Sequence, residues 1–156
     1  MPAPTIHPMP STFTSLDFHL VFSTKDREAT IAAEWRPRLH EYLGGAINGL
    51  DRTAKGIGGT ADHVHILVGL KATHRLSDFM RELKKASSVW VHETIGELKF
   101  AWQIGYGAFS VSPTARENVR AYIASQEAHH RHKSFREEFV EFLQKAGIEF
   151  EDRYLD

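Results

Sequence analysis

Hydrophobic and polar positions alternate near the start of this chain. In "FTSLDFHLVFSTK", Leu16, Phe18, Leu20 and Phe22 fall on one side and Asp17, His19, Val21 and Ser23 on the other. Successive strand side chains point to opposite faces, so this pattern predicts a half-buried strand. The period then lengthens. "AAEWRPRLHEYLGGAINGL" sets Trp35, Leu39, Tyr42, Leu43 and Ala46 at helical spacing, with Pro37 near the first turn, where its missing N–H does no harm. "RTAKGIGGTADHVHILVGL" predicts two strands joined by a glycine-containing turn. "LSDFMRELKKASSVWVHETIG" predicts a second helix, capped by Ser77 and stopped by Gly96. "FAWQIGYGAFSVS" predicts a fourth strand, loosened by Gly105 and Gly107. Two helices close the chain. Each opens on a capping-box pattern, Thr114 with Glu117 and Ser134 with Glu137, and the second ends at Gly147.

The order strand, helix, strand, strand, helix, strand predicts an α+β fold. Its core is a ferredoxin-like, RRM-like antiparallel sheet (βαββαβ) with helices on one face, followed by C-terminal helices. Residues 12–156 read as one domain. Residues 1–11, with prolines at 2, 4, 8 and 10, read as a flexible tail. Val64, Ile66 and Val68 belong to the helix-covered face. His63 and His65 then lie on the open face, with Asp17 and His19 facing the same way.

Composition narrows the function classes. The chain has 156 residues, 42% hydrophobic and 25% charged, with no cysteine. Disulfides and thiolate metal sites are excluded. No apolar run approaches the roughly 18 residues of a membrane span, and a cytoplasmic location is the default. Net charge is −1, so nucleic-acid contacts must come from local patches.

"DHVHILV" places two histidines side by side on one strand face. With ten histidines in the chain, one such pair also arises by accident on a solvated strand. The functional reading is a metal site, since neutral imidazole is a common ligand, and it needs a third ligand from elsewhere. Barrel metallohydrolases need about 250 residues, more than this chain has. Metallo-β-lactamase-like enzymes follow the pair with Asp-His, whereas Ile66 and Leu67 follow here. Later, Val119, Tyr122, Ile123 and Gln126 share one helix face. Tyr122 reads there as a core aromatic or as a nucleophile, and Gln126 as a boundary residue or as a ligand.

A His-hydrophobic-His strand followed by Tyr-x-x-x-Gln on a later helix resembles the single-tyrosine HUH transposases of small bacterial insertion sequences (IS200-like), including the repeat-associated tyrosine transposases. "FHLVFSTKDR", "DHVHILV", "LKKASSVW", "WQIGYGAFSVS" and "VRAYIASQEAHH" carry the resemblance in order, over nearly the whole chain from Phe13. It implies His63, His65 and Gln126 as metal ligands and Tyr122 as the nucleophile. It also implies a divalent metal, Mg2+ or Mn2+, a covalent 5′-phosphotyrosine intermediate, and single-stranded DNA with hairpins as partner. A homodimer with the tyrosine of one subunit serving the other is expected, although the repeat-associated branch can act as monomers. Where members often carry a glycine hinge before the catalytic helix, this chain has Ser112 and Pro113.

Three basic clusters are candidates for DNA: Lys25 and Arg27; Arg81, Lys84 and Lys85; Arg131 and Lys133. Each also reads as a solvated surface. Trp90, Trp102, Tyr106 and Phe109 read as stacking surfaces for bases or as core. Two alternatives stand beside the strand-transferase. One is a non-catalytic single-stranded nucleic-acid-binding module on the same sheet. The other is a histidine-metal hydrolase that would survive Tyr122→Phe.

Overall fold

The computed structural model describes residues 11–130, 132–151 and 155. The proline-rich start therefore lies outside the described residues, apart from Ser11. Strand β1 (Asp17–Ser23) leads through a 3₁₀ turn at Lys25–Arg27 to helix α1 (Arg36–Gly49). Strands β2 (Ala54–Gly59) and β3 (His63–Gly69) form a hairpin, and helix α2 (Leu76–Trp90) follows. Strand β4 (Gly107–Val111) completes an antiparallel sheet in the order β2-β3-β1-β4. Helices α3 (Arg116–Ala124), α4 (Gln126–His129, a single turn) and α5 (Phe135–Lys145) close the chain. The mixed α+β architecture expected from the element order is the one observed. No helix among the described residues is long and apolar enough to cross a membrane.

The main core lies between one sheet face and α1 and α2. Leu20, Phe22, Val64, Ile66 and Val68 meet Leu39, Leu43, Ile47, Phe79, Met80 and Leu83 there. Leu16, placed on this face by the alternation, precedes the strand and is partly exposed.

The other face is not open. Leu67 and Val111 pack against Ile123 of α3, and α4 and α5 cover the rest, so His63 and His65 are fully buried rather than solvated. Alternation assigned the faces of β1 and β3 correctly. It could not reveal that the terminal helices fold back over the polar one. Gly58 of β2 makes that return close. A Cβ at this position would lie 2.1 Å from the Ile123 carbonyl oxygen, so any side chain would push α3 off the sheet.

Several boundaries shift. Helix α2 begins at Leu76 with Arg75 at its cap and no side-chain cap bond, so Ser77 lies inside it. Gly96 does end the following π turn, at φ +85°. Thr114 does not cap α3. It sits in a Pro113–Ala115 3₁₀ turn with its hydroxyl 3.1 Å from that of Ser112. Ser134 caps α5 as expected, its Oγ accepting from the Glu137 N–H at 3.2 Å. The fourth strand is confined to Gly107–Val111, because Gly105 adopts φ +90° and breaks the extended run.

Candidate metal centre and tyrosine

β3 projects His63 and His65 into the layer beneath α3–α5. The hairpin turn orients the first. His63 Nδ1 donates to Asp62 Oδ1 at 2.7 Å and lies 3.0 Å from Thr60 Oγ1. Burial works against the Asp62 carboxylate, but the hydrogen bond and charge of His63 outweigh it and hold its pKa low. An ionised acceptor fixes the proton on Nδ1 and turns Nε2 inward, a carboxylate–histidine arrangement common behind metal ligands. β1 orients the second. His19 Nε2 is 2.6 Å from His65 Nδ1. Burial lowers His65 to about 4 against the opposing hydrogen bond and charge of Glu138, and burial, then the charge of His65, lowers His19 to about 3. Both rings are neutral at neutral pH, the state in which imidazole can coordinate.

Gln126 arrives from the opposite side. The helix carrying Tyr122 breaks at Ser125 (φ −103°, ψ 19°), yet Gln126 still faces the sheet and is buried. Its Oε1 is 3.0 Å from His63 Nε2 and 3.0 Å from His130 Nε2. With Nδ1 turned to Asp62, His63 Nε2 faces the Gln126 amide oxygen at 3.0 Å. An imidazole nitrogen and an amide oxygen both coordinate cations, so the donor set fits a metal ion.

Tyr122 reaches the same cluster within one chain. Its ring centroid is 5.9 Å from that of His65 and 6.2 Å from that of His19, and its hydroxyl donates to Glu138. Burial, and then the hydrogen bond and charge of Glu138, push the phenol above its usual range. The structure thus brings together Tyr122, His63, His65 and Gln126, the residues the sequence singled out on separate elements.

It also adds two. Glu138 of α5, 2% exposed, places Oε1 2.9 Å from His65 Nε2 and Oε2 3.1 Å from His130 Nε2. Burial opposes its charge, but hydrogen bonds from His130, His65 and Tyr122 outweigh that and hold its carboxyl far below the ordinary range. His130 Nδ1 donates to the Lys133 carbonyl at 2.7 Å. One signal in the sequence points to Glu138: it is a lone carboxylate on the helical face of Phe135, Phe139 and Phe142.

Among the described basic candidates, those of α2 do not converge on this centre. Arg81, Lys84 and Lys85 belong to α2, which packs on the opposite sheet face. Arg81 pairs with Asp78 at 3.2 Å. Lys84 donates to the carbonyls of Gln103 and Gly105 at 2.6 and 2.7 Å, bracing the segment before β4. Lys25 and Arg27 lie in the turn after β1. Lys133, beside the centre, pairs with Glu141 at 2.5 Å, and Arg131 lies outside the described residues. Among the aromatics, Trp102 packs on Phe22 and Phe100, Trp90 stacks on Tyr42, and Phe109 packs on Phe142. Tyr106 is partly exposed.

The sequence profile of the IS200-like transposases matches residues 12–126. The chain belongs to the IS200-like transposase family. It is 29% identical over 119 residues to the ISDra2 transposase TnpA of Deinococcus radiodurans, covering 71% of this chain and 84% of that one. Two solved structures share the fold. One is a Deinococcus radiodurans protein assigned as a transposase, with a TM-score of 0.64 at 24% identity over 78% of this chain and 98% of its own. The other is a REP-associated tyrosine transposase bound to a REP hairpin, with a TM-score of 0.58 at 12% identity over 80% of this chain and 74% of its own. As an IS200-like transposase, this chain carries its cluster where the family profile ends, at Gln126, and extends it with His130 and Glu138 beyond.

Proposed function

We propose that this IS200-like transposase cleaves and rejoins single-stranded DNA through a covalent 5′-phosphotyrosine on Tyr122. The observation that carries the reading is the meeting of Tyr122 with His63, His65 and Gln126 in one buried cluster of a single chain.

His63, His65 and Gln126 would hold a divalent cation, Mg2+ or Mn2+. When bound, the cation supplies Lewis-acid polarisation of the scissile phosphodiester and offsets charge that develops on it. Asp62 and His19 hold the two imidazoles turned inward. Tyr122, fixed by its hydrogen bond to Glu138, attacks phosphorus in line. The bond to the 3′ oxygen breaks and the bond to the phenolic oxygen forms, and the proton the phenol gives up is balanced by one taken up at the leaving 3′ oxygen. The 5′ end is thus stored as an ester on Tyr122 and a free 3′-hydroxyl is left. That hydroxyl, or one from another cleaved strand, reverses the step, so the bond is conserved without a nucleotide cofactor.

The substrate we infer is hairpin-bearing single-stranded DNA. This is supported by family membership and by the hairpin in the REP-associated relative. Lys25, Arg27, Arg81, Lys84, Lys85, Arg131 and Lys133 are the proposed phosphate contacts, and at Arg81, Lys84 and Lys133 among them the phosphate must compete with a partner already in place. We infer a site in cis rather than one shared across a homodimer, because one chain supplies every member of the cluster.

The test is a denaturing gel of the protein incubated with labelled hairpin-bearing single-stranded DNA and Mn2+ or Mg2+. A DNA-linked protein band is expected from the wild type, and none from Tyr122→Phe or His63→Ala. Binding without metal and without any adduct would favour the non-catalytic module. Free phosphate ends released by Tyr122→Phe would favour the hydrolase.

A further inference from the structure

α5 lies beyond the 12–126 region that the family profile covers, yet it drives a carboxylate into the middle of the cluster. Glu138 is buried at the centre of a ring of polar groups. Its Oε1 is 2.9 Å from His65 Nε2 and 3.9 Å from His63 Nε2. Its Oε2 is 3.1 Å from His130 Nε2, 3.6 Å from His129 Nε2 and 3.5 Å from Gln126 Nε2, and accepts from Tyr122. Ligand atoms of His63, His65, His130 and Glu138 all lie within 4.8 Å of one another.

We propose that Glu138 is itself a ligand of the divalent cation, through Oε1, while Oε2 holds Tyr122 beside it. The proposal rests on the metal-site reading above and deepens it. Spacing supports it: ligands about 2.1 Å from a six-coordinate ion, at right angles, lie about 3.0 Å apart. The contacts of 2.9 and 3.0 Å at His65–Glu138 and His63–Gln126 match that separation. Chemistry supports it as well. Two imidazoles and an amide are neutral and suit softer ions, whereas a carboxylate is the hard anionic oxygen that Mg2+ and Mn2+ prefer. One side chain thereby ties the nucleophile to the ion, so the distance between them is set by a single carboxylate.

The experiment uses the full chain and Mn2+ alone, titrated by electron paramagnetic resonance of the free ion. Glu138→Gln is expected to bind Mn2+ more weakly by at least the roughly 10–100-fold that loss of an outer partner costs. Equal or tighter binding overturns the proposal, because the carboxylate would then be a stopper that competes with the ion. Should the variant fail to fold, wild-type protein labelled at glutamate carboxyl carbons answers the same question. One equivalent of Mn2+ is expected to show a 13C coupling by electron–nuclear double resonance, lost in His65→Ala, and absence of the coupling in the wild type overturns it. Unchanged Mn2+ binding in His65→Ala would instead remove the underlying metal site. Binding lost in His65→Ala but kept in Glu138→Gln would remove Glu138 alone.

Discussion

Tyr122 and Glu138, 16 residues apart, are joined by a hydrogen bond from phenol to carboxylate, and the same carboxylate accepts from His65 at 2.9 Å. The nucleophile and the histidine strand are therefore linked through α5. Burial and this contact keep the phenol protonated at neutral pH. Tyr122→Phe removes only the hydroxyl, so it should abolish the DNA-linked band while leaving Mn2+ and hairpin-DNA binding within about twofold, less than the cost of losing an outer metal partner. Gel analysis beside a Mn2+ titration checks this.

A site in cis makes a second expectation. Equal mixtures of Tyr122→Phe and His63→Ala proteins should form no adduct, since neither chain has both halves. Recovery of adduct in the mixture would show that subunits exchange tyrosines.

His19 touches neither the expected ion nor the phenolic oxygen, but it holds His65 Nδ1 at 2.6 Å. His19→Leu should weaken Mn2+ binding about 10–100-fold by freeing the ring orientation. It should also destabilise the fold by about 1–3 kcal/mol, the cost of a buried group left without its partner. Mn2+ titration and urea unfolding separate the two effects, and unchanged affinity would remove His19 from the site.

Gly58→Ala tests the return of α3 over the sheet. The added methyl meets the Ile123 backbone, which cannot rotate away. A loss of about 1–3 kcal/mol, typical of overpacking, should accompany slower adduct formation as α3 carries Tyr122 outward. Chemical denaturation and adduct kinetics report both, and an unperturbed variant would show that α3 docks elsewhere.

Asp17 anchors the start of the tyrosine helix. It accepts from Arg116 Nε at 2.7 Å and from Lys55 Nζ at 2.6 Å. Burial raises its carboxyl, but the two cations outweigh that and hold it below the ordinary value. A depressed folded pKa means stability that is fully present above the unfolded value of about 3.9 and lost as pH falls through the folded one. Wild type should therefore exceed Asp17→Asn by about 1–3 kcal/mol at pH 7, with the gap closing below about pH 4. Urea melts at several pH values measure it, and a gap unchanged at pH 3 would contradict the assignment.

Much of the site was legible. Alternation put His63, His65 and His19 on one sheet side, and helical spacing put Tyr122 and Gln126 on one helix face. Both periodicities are local consequences of backbone geometry. The fourth strand is shorter than its apolar run predicts, because Gly105 breaks the extended backbone and Lys84, distant in sequence, holds the carbonyls of Gln103 and Gly105 there. The basic clusters were visible as charges, but their neighbours were not: Arg81 and Lys133 each meet an acid.

The sequence by itself determined the elements, their faces and the residue types able to coordinate metal or attack phosphorus, because backbone periodicity and side-chain chemistry act over a few residues. Only the tertiary structure decided that α3, α4 and α5 fold back over the polar sheet face. That return buries the histidines, brings Tyr122 to them within one chain and sets Glu138 between them. Such meetings depend on which surfaces pack against which, and a buried carboxylate is tolerated there because donors from β3, α3 and the α4–α5 link converge on it in space.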